Sequence, residues 1–183
     1  MIGSRTLGFT LIELMISLSI AALLAVLAMP TYSLWIADNQ IRNAAESIAS
    51  GLRYAQGEAI KQNATVEFIL DPTTGTGGWT AQVIDRTTCA VLSPLQVGTF
   101  REGADKTALT ALPAGATTVQ FTALGGVALA PCDLSPTLNR VQITSATGVA
   151  GTRDLEVLVG NNRTGIKICD PKWPANDPKG CPP

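Results

Sequence analysis

An α+β fold, one long N-terminal helix followed by an antiparallel sheet, is predicted by three features of the 183-residue sequence. From Phe9 to Met29 every residue is apolar or small except Thr10, two serines and Glu13. Ile41, Ala45, Ile48, Leu52, Ala55 and Ala59 then recur at spacings of three and four, an apolar stripe on one helix face. From Ala64 onward, short period-two runs alternate with turns rich in glycine and proline, the pattern of short strands. There is no internal repeat and no second helix-rich region, so the length suits one span and one domain.

The first eight residues, with the single cation Arg5, read as a short leader. Residues 9–30 form the span: at 1.5 Å per residue, 21 helical residues cover about 30 Å, the thickness of a bilayer hydrocarbon core. Glu13 is the anomaly, because a carboxylate near a bilayer centre costs roughly 2.5–3.5 kcal/mol, less toward the end of a span. Two plain readings account for the stretch differently. As a simple anchor, it would let Glu13 snorkel to the interface. As a secretory signal it would be cut near Val26-Leu27-Ala28, but the run is too long and carries an acid near its start.

Pro30 removes one backbone hydrogen bond, so a kink is expected there, with the helix continuing over residues 31–63 as an amphipathic half. Arg42, Asn43, Glu46, Ser50, Arg53 and Lys61 fall largely off the apolar stripe. Gly51 and Gly57 weaken that half slightly and permit close approach.

Residues 64–183 read as a strand domain. Strands are expected at Thr65–Leu70, Trp79–Ile84, Leu95–Phe100, Thr117–Thr122, Val127–Ala130, Asn139–Thr144, Leu155–Val159 and Gly165–Cys169, with Arg101–Gly115 a loop. The run Gly75-Thr76-Gly77-Gly78 is a hairpin turn and not a phosphate loop, since no Lys-Ser/Thr and no helix pattern follows.

Composition narrows the chemistry. Formal charge is −1 and charged residues make up 15% of the chain, so there is no global basic footprint for nucleic acid. Histidine is absent, which removes Ser-His-Asp and Cys-His catalysis and every His-containing metal site. No cofactor is implied, and an enzyme is disfavoured. The four cysteines, Cys89, Cys132, Cys169 and Cys181, allow three pairings outside the cytoplasm. Spacing favours Cys169–Cys181, which closes a proline-rich tail and leaves Cys89–Cys132. Zinc is the rival, but no C-x-x-C pair is present.

The consecutive residues Gly8, Phe9, Thr10, Leu11, Ile12 and Glu13 at the head of the span resemble the class III signal of type IV pilins and pseudopilins. The segment Leu52-Arg53-Tyr54-Ala55-Gln56-Gly57-Glu58-Ala59-Ile60-Lys61-Gln62-Asn63 is similar to the L-x-x-A-R-S-E-A-I-K-R-N segment of the GspH/FimT group of minor pseudopilins and minor pilins. Here Gln56-Gly57 stands where that group often has Arg-Ser, a departure expected on an exposed face. The Phe121 and Gly125 spacing resembles a mid-domain hairpin of the same group.

This resemblance implies a type IV pilin-like fold. It also implies cleavage by prepilin peptidase after Gly8 and methylation of the new N-terminal Phe9. Glu13 would pair with the terminal amine of a neighbouring subunit. The partners are that peptidase, the other pilins or pseudopilins of a filament, and a bacterial inner membrane crossed once, with the domain in the periplasm. Physical reasoning agrees, because a buried anion becomes tolerable when a cation meets it in the assembled bundle.

From Arg163 the tail carries four cations, Arg163, Lys167, Lys172 and Lys179, against two acids, with Trp173 among them. Phosphate contacts plus one stacking ring suggest DNA as a second partner. Some FimT-like pilins take up DNA for transformation and carry Gly-Arg-x-Arg before the penultimate cysteine. This chain has Gly165-Ile166-Lys167-Ile168-Cys169 there, keeping only a glycine and one cation.

Overall fold

The computed structural model describes residues 10–101, 103–160 and 165–182, the side chain of Pro30 excepted. The leader, Gly8, Phe9 and Arg163 lie outside the described residues.

One helix, α1 (Leu11–Gln62, 52 residues), runs without a break through Pro30. At 1.5 Å per residue it is about 78 Å long. Thr10 caps its start in extended conformation, its hydroxyl accepting from the Glu13 N–H at 3.3 Å. Asn63 ends it in the left-handed region at φ 49°, its N–H returning to the Ala59 and Ile60 carbonyls. None of Leu11–Met29 is buried by the rest of the chain. The second half is different: Ile41, Ala45, Ile48, Leu52, Ala55 and Ala59 are all fully buried.

Eight strands follow: β1 (Thr65–Asp71), β2 (Gly78–Ile84), β3 (Val91–Thr99), β4 (Thr107–Leu112), β5 (Thr118–Phe121), β6 (Arg140–Ser145), β7 (Leu155–Val159) and β8 (Ile166–Cys169). They form two four-stranded antiparallel sheets, ordered β3-β2-β1-β5 and β4-β6-β7-β8. Both lie against the second half of α1. Their inward residues, among them Val66, Phe68 and Leu70 from one sheet and Val141, Ile143 and Val157 from the other, share one core with the helix. Strand alternation is clean in β1, where every second residue is buried.

Four expectations need correction. The single sheet is two, because the strands pair in two separate ladders, and both pack on α1. The loop expected at Arg101–Gly115 contains β4, paired along its length with β6 from Thr107↔Ser145 to Leu112↔Arg140. Its Thr-Ala-Leu-Thr-Ala-Leu sequence repeats with period three and not two, so alternation does not mark it, and the pairing with β6 makes the strand. Strand β3 begins at Val91, ahead of Pro94, because an edge strand tolerates a proline. Val127–Ala130 is no strand: only the bridge Phe121↔Val127 forms, and Leu129 is fully exposed.

The junction of helix and sheet is packed most closely at Trp79. Its indole lies between Gly51 of α1 and Gly98 of β3, stacks on Phe68 at 5.6 Å, and donates to the Ser47 hydroxyl at 3.1 Å. A Cβ at Gly51 would stand 2.6 Å from the indole, so close approach is what this glycine supplies. Gly57 faces open space.

Candidate functional site

The first turn of α1 presents Glu13. Thr10 and Glu13 have the spacing of a capping box, and the half of it in which Thr10 caps the helix is made. Among the described residues none offers a hydrogen bond or ion pair to the Glu13 carboxylate. The other polar groups of the span are satisfied within the helix: the Ser17 hydroxyl donates to the Glu13 carbonyl and that of Ser19 to the Met15 carbonyl, each at 2.8 Å. Glu13 is thus the one side chain of Leu11–Met29 that brings a charge, unanswered among the described residues, to an exposed apolar surface.

Cys89 is bonded to Cys132 and Cys169 to Cys181, with Cα separations of 5.8 and 5.1 Å. Glu156 lies beside the second pair, and its carboxylate and the two sulfurs fall within 4.8 Å of one another. With both sulfurs in a disulfide, only the carboxylate could serve a metal ion, which is too few ligands for a site. Glu156 is instead ion-paired to Arg140 at 3.1 Å. The same guanidinium donates to the Pro182 carbonyl at 3.3 Å and so reaches the end of the tail.

The tail cations are largely engaged. Lys167 donates to the Gly180 carbonyl at 3.1 Å, and Lys172 to the Thr152 carbonyl at 2.8 Å with Asp154 at 3.8 Å. Lys179 lies over the Trp173 ring, 5.1 Å from its centroid. Buried Asp170 accepts from the Lys172 N–H at 2.9 Å and faces Arg153 at 3.6 Å. Lys167 and Lys172 thus have separate acceptors, and neither lines the cleft that Trp173 borders. Trp173 stays 40% exposed beside an open cleft of about 360 Å³ that Arg42, Arg153 and Lys179 also line.

Two polar side chains near the helix end have distant partners, one of them Gln56, which departs from the family pattern and was expected on an exposed face. Gln56 is half-buried and donates to the Gly125 carbonyl at 2.7 Å, and Arg53 donates to the Ile166 carbonyl at 3.2 Å. They tie α1 to the turn at Gly125 and to the start of β8, 69 and 113 residues away. Sequence spacing showed which face of α1 they share and carried no signal of those distant acceptors. Thr10 was legible as a cap, since Thr-x-x-Glu ahead of an apolar run is a helix-start pattern.

Comparison with known proteins bears on both halves of the chain. The family model described as type II transport protein GspH matches residues 44–164, from the buried half of α1 past the end of β7. The model described as the prokaryotic N-terminal methylation motif matches residues 3–29, which include Glu13 and end with the span. The type IV major fimbrial protein FimA of Dichelobacter nodosus is 41% identical over 71 residues, 39% of this chain and 44% of that protein. The chain therefore spans less than half the length of that relative. The crystal structure of the type IV minor pilin FimU of Pseudomonas aeruginosa is similar at 24% identity and a TM-score of 0.48, over 66% of this chain and 83% of that one. With more than half of its length matched by the GspH model and its N-terminus by the methylation motif, the chain belongs to the GspH family of pilins and pseudopilins, a family of structural subunits.

Proposed function

We propose that this chain is a minor subunit of a type IV pilus or type II secretion pseudopilus and that its work is assembly, with no chemistry of its own. The observation that carries this is Glu13, without a partner among the described residues, on a 19-residue apolar helix that no other described residue covers. Residues 1–8 are the leader, removed by prepilin peptidase after Gly8, and Phe9 becomes the methylated N-terminus. Residues 9–30 hold the precursor in the bacterial inner membrane with residues 64–183 in the periplasm. In the filament the apolar half leaves lipid for a shared core of helices, where packing replaces lipid contact. There Glu13 meets the terminal amine of a neighbour, which offsets the cost of its burial. The domain, mounted on residues 31–63, stays on the surface and primes or caps the filament.

Mass spectrometry of the mature N-terminus tests processing: N-methyl-Phe9 is expected, and an intact Met1 or a start at Met29 would end the proposal. Glu13→Val is expected to be cleaved normally yet fail to enter filaments. Normal incorporation of that variant would show that charge pairing is not what positions the subunit.

A second reading, a DNA-binding minor pilin acting in natural transformation, is favoured by the exposed Trp173 beside Arg42, Arg153 and Lys179. Of the tail cations, Lys167 and Lys172 are held by internal carbonyls, so affinity would be weak and salt-sensitive. It predicts a gel shift at low salt that is lost when Arg163 and Lys167 are replaced by alanine. The absence of any shift with the unaltered chain would dismiss it.

A further inference from the structure

Two aromatic residues stand just past the apolar span. Tyr32 and Trp35 lie one turn apart on the same side of α1, their rings 6.2 Å apart and inclined by 23°. Each is 63% exposed, although the neighbouring Ala37, on the domain side of the helix, is buried. Trp35 also borders an open cleft beneath the domain with Ile36, Asn39 and Gly103. A large exposed aromatic pair at the root of a domain has no folding role, so it calls for an occupant.

We propose that Tyr32 and Trp35 form an interfacial anchor that sits in the lipid headgroup layer and sets how deep the precursor is inserted. The argument rests on the membrane-anchored reading above and on position. The span ends at Met29. At 1.5 Å per residue the Cα atoms of Tyr32 and Trp35 lie about 4.5 and 9 Å beyond it. The headgroup layer on each side is about 5–7 Å thick. Helical side chains lean toward the N-terminus and cover the preceding turn, about 5 Å back. That lean brings the Trp35 ring into the headgroup layer and the Tyr32 ring to its inner edge against the hydrocarbon, the interfacial levels at which tryptophan and tyrosine place an apolar body and a polar edge most favourably. The domain begins at once above them: Asp38 accepts from the Arg153 N–H at 2.9 Å and Asn43 donates to the Gly103 carbonyl at 3.1 Å. The anchor therefore sets the domain down close to the membrane surface, with no spacer between.

The test uses the full chain in vesicles of phosphatidylethanolamine and phosphatidylglycerol that carry a nitroxide either on the headgroup or near the acyl-chain end. Emission lost between the unaltered chain and Trp35→Phe reports Trp35 alone. This component should be quenched about twofold or more strongly by the headgroup nitroxide than by the deep one. In the Trp35→Phe background, Ile20→Trp places a reporter at mid-span and should show the opposite order. If the Ile20→Trp reporter is quenched by the deep label and Trp35 by neither, the anchor is overturned while the membrane span stands. Quenching of Trp35 mainly by the deep label also overturns it, because the ring would then lie in the hydrocarbon. If neither position is quenched, the span itself is not in the bilayer and both readings fail.

Discussion

Trp79 shows how single residues set the fit of helix to sheet. Its indole occupies the space that side chains at Gly51 and Gly98 would need, so neither glycine is there for flexibility. Gly51→Ala would force the ring or the helix to move, and overpacking of this kind costs about 1–3 kcal/mol, only partly offset by the better helix propensity of alanine. Gly57 has no neighbour within 4 Å of where its Cβ would be. Gly57→Ala is therefore expected to stabilise the chain by about 0.5–1 kcal/mol. Denaturant titration of the detergent-solubilised protein should move in opposite directions for the two variants, and equal shifts would refute the packing account. At Asp85, N–H donation from Thr87 at 2.7 Å and Thr88 at 3.1 Å holds the carboxyl below its ordinary value. A lowered folded-state pKa contributes stability above the unfolded value and loses it as pH falls through the folded value. The stability gap between the unaltered protein and Asp85→Asn should thus be widest near neutral pH and close below pH about 4.

Among the elements, the tail after β8 is held by more than its disulfide. The Asp170 N–H donates to the Lys179 carbonyl at 2.8 Å, Lys167 reaches Gly180, and Arg140 reaches Pro182. A cross-link over 12 residues is worth about 3 kcal/mol on the chain-entropy estimate. Replacing Cys169 and Cys181 with serine should lower stability by about that amount and open the tail to protease, while the sheet contacts persist. Arg140 also answers Glu156, which is buried and whose Oε2 has no aligned hydrogen bond. Arg140→Ala leaves that carboxylate uncompensated, and a loss of about 3 kcal/mol is expected. Arg140→Ala with Glu156→Gln should recover part of it, measured as a double-mutant cycle. Recovery of nothing would place the role of Arg140 in its bond to Pro182.

For the whole molecule, the two halves of α1 have different surroundings: one is exposed and the other lies in the core of the domain. Every core residue of the domain lies at Ala37 or later, and Leu11–Met29 adds none. A chain beginning at residue 31 is therefore expected to fold with a melting temperature close to that of the full chain, and to move from the membrane fraction to the soluble one. A large fall in melting temperature would mean that the apolar half stabilises the domain through contacts the monomer does not show. The exposed span of the monomer is a surface larger than soluble proteins ordinarily leave uncovered, and lipid or neighbouring helices must take it.

Much of this was legible in one dimension, because it depends on local period and local chemistry. A 21-residue apolar run must be a membrane-length helix, the three-four spacing from Ile41 to Ala59 must bury one face, and β1, β2, β6 and β7 announce themselves by alternation. Glu13 stands out in the sequence because an acid is rare in such a run. Where long-range pairing decides, the sequence was silent. Strand β4 exists because β6 offers it a ladder, β3 runs through Pro94 because it is an edge strand, and the single sheet became two because the ladders divide the strands four and four. Gln56 and Arg53 found acceptors 69 and 113 residues away that no spacing reveals. The stretch Val127–Ala130 has the residues of a strand but makes only one bridge, since alternation permits a strand and only a partner ladder makes one.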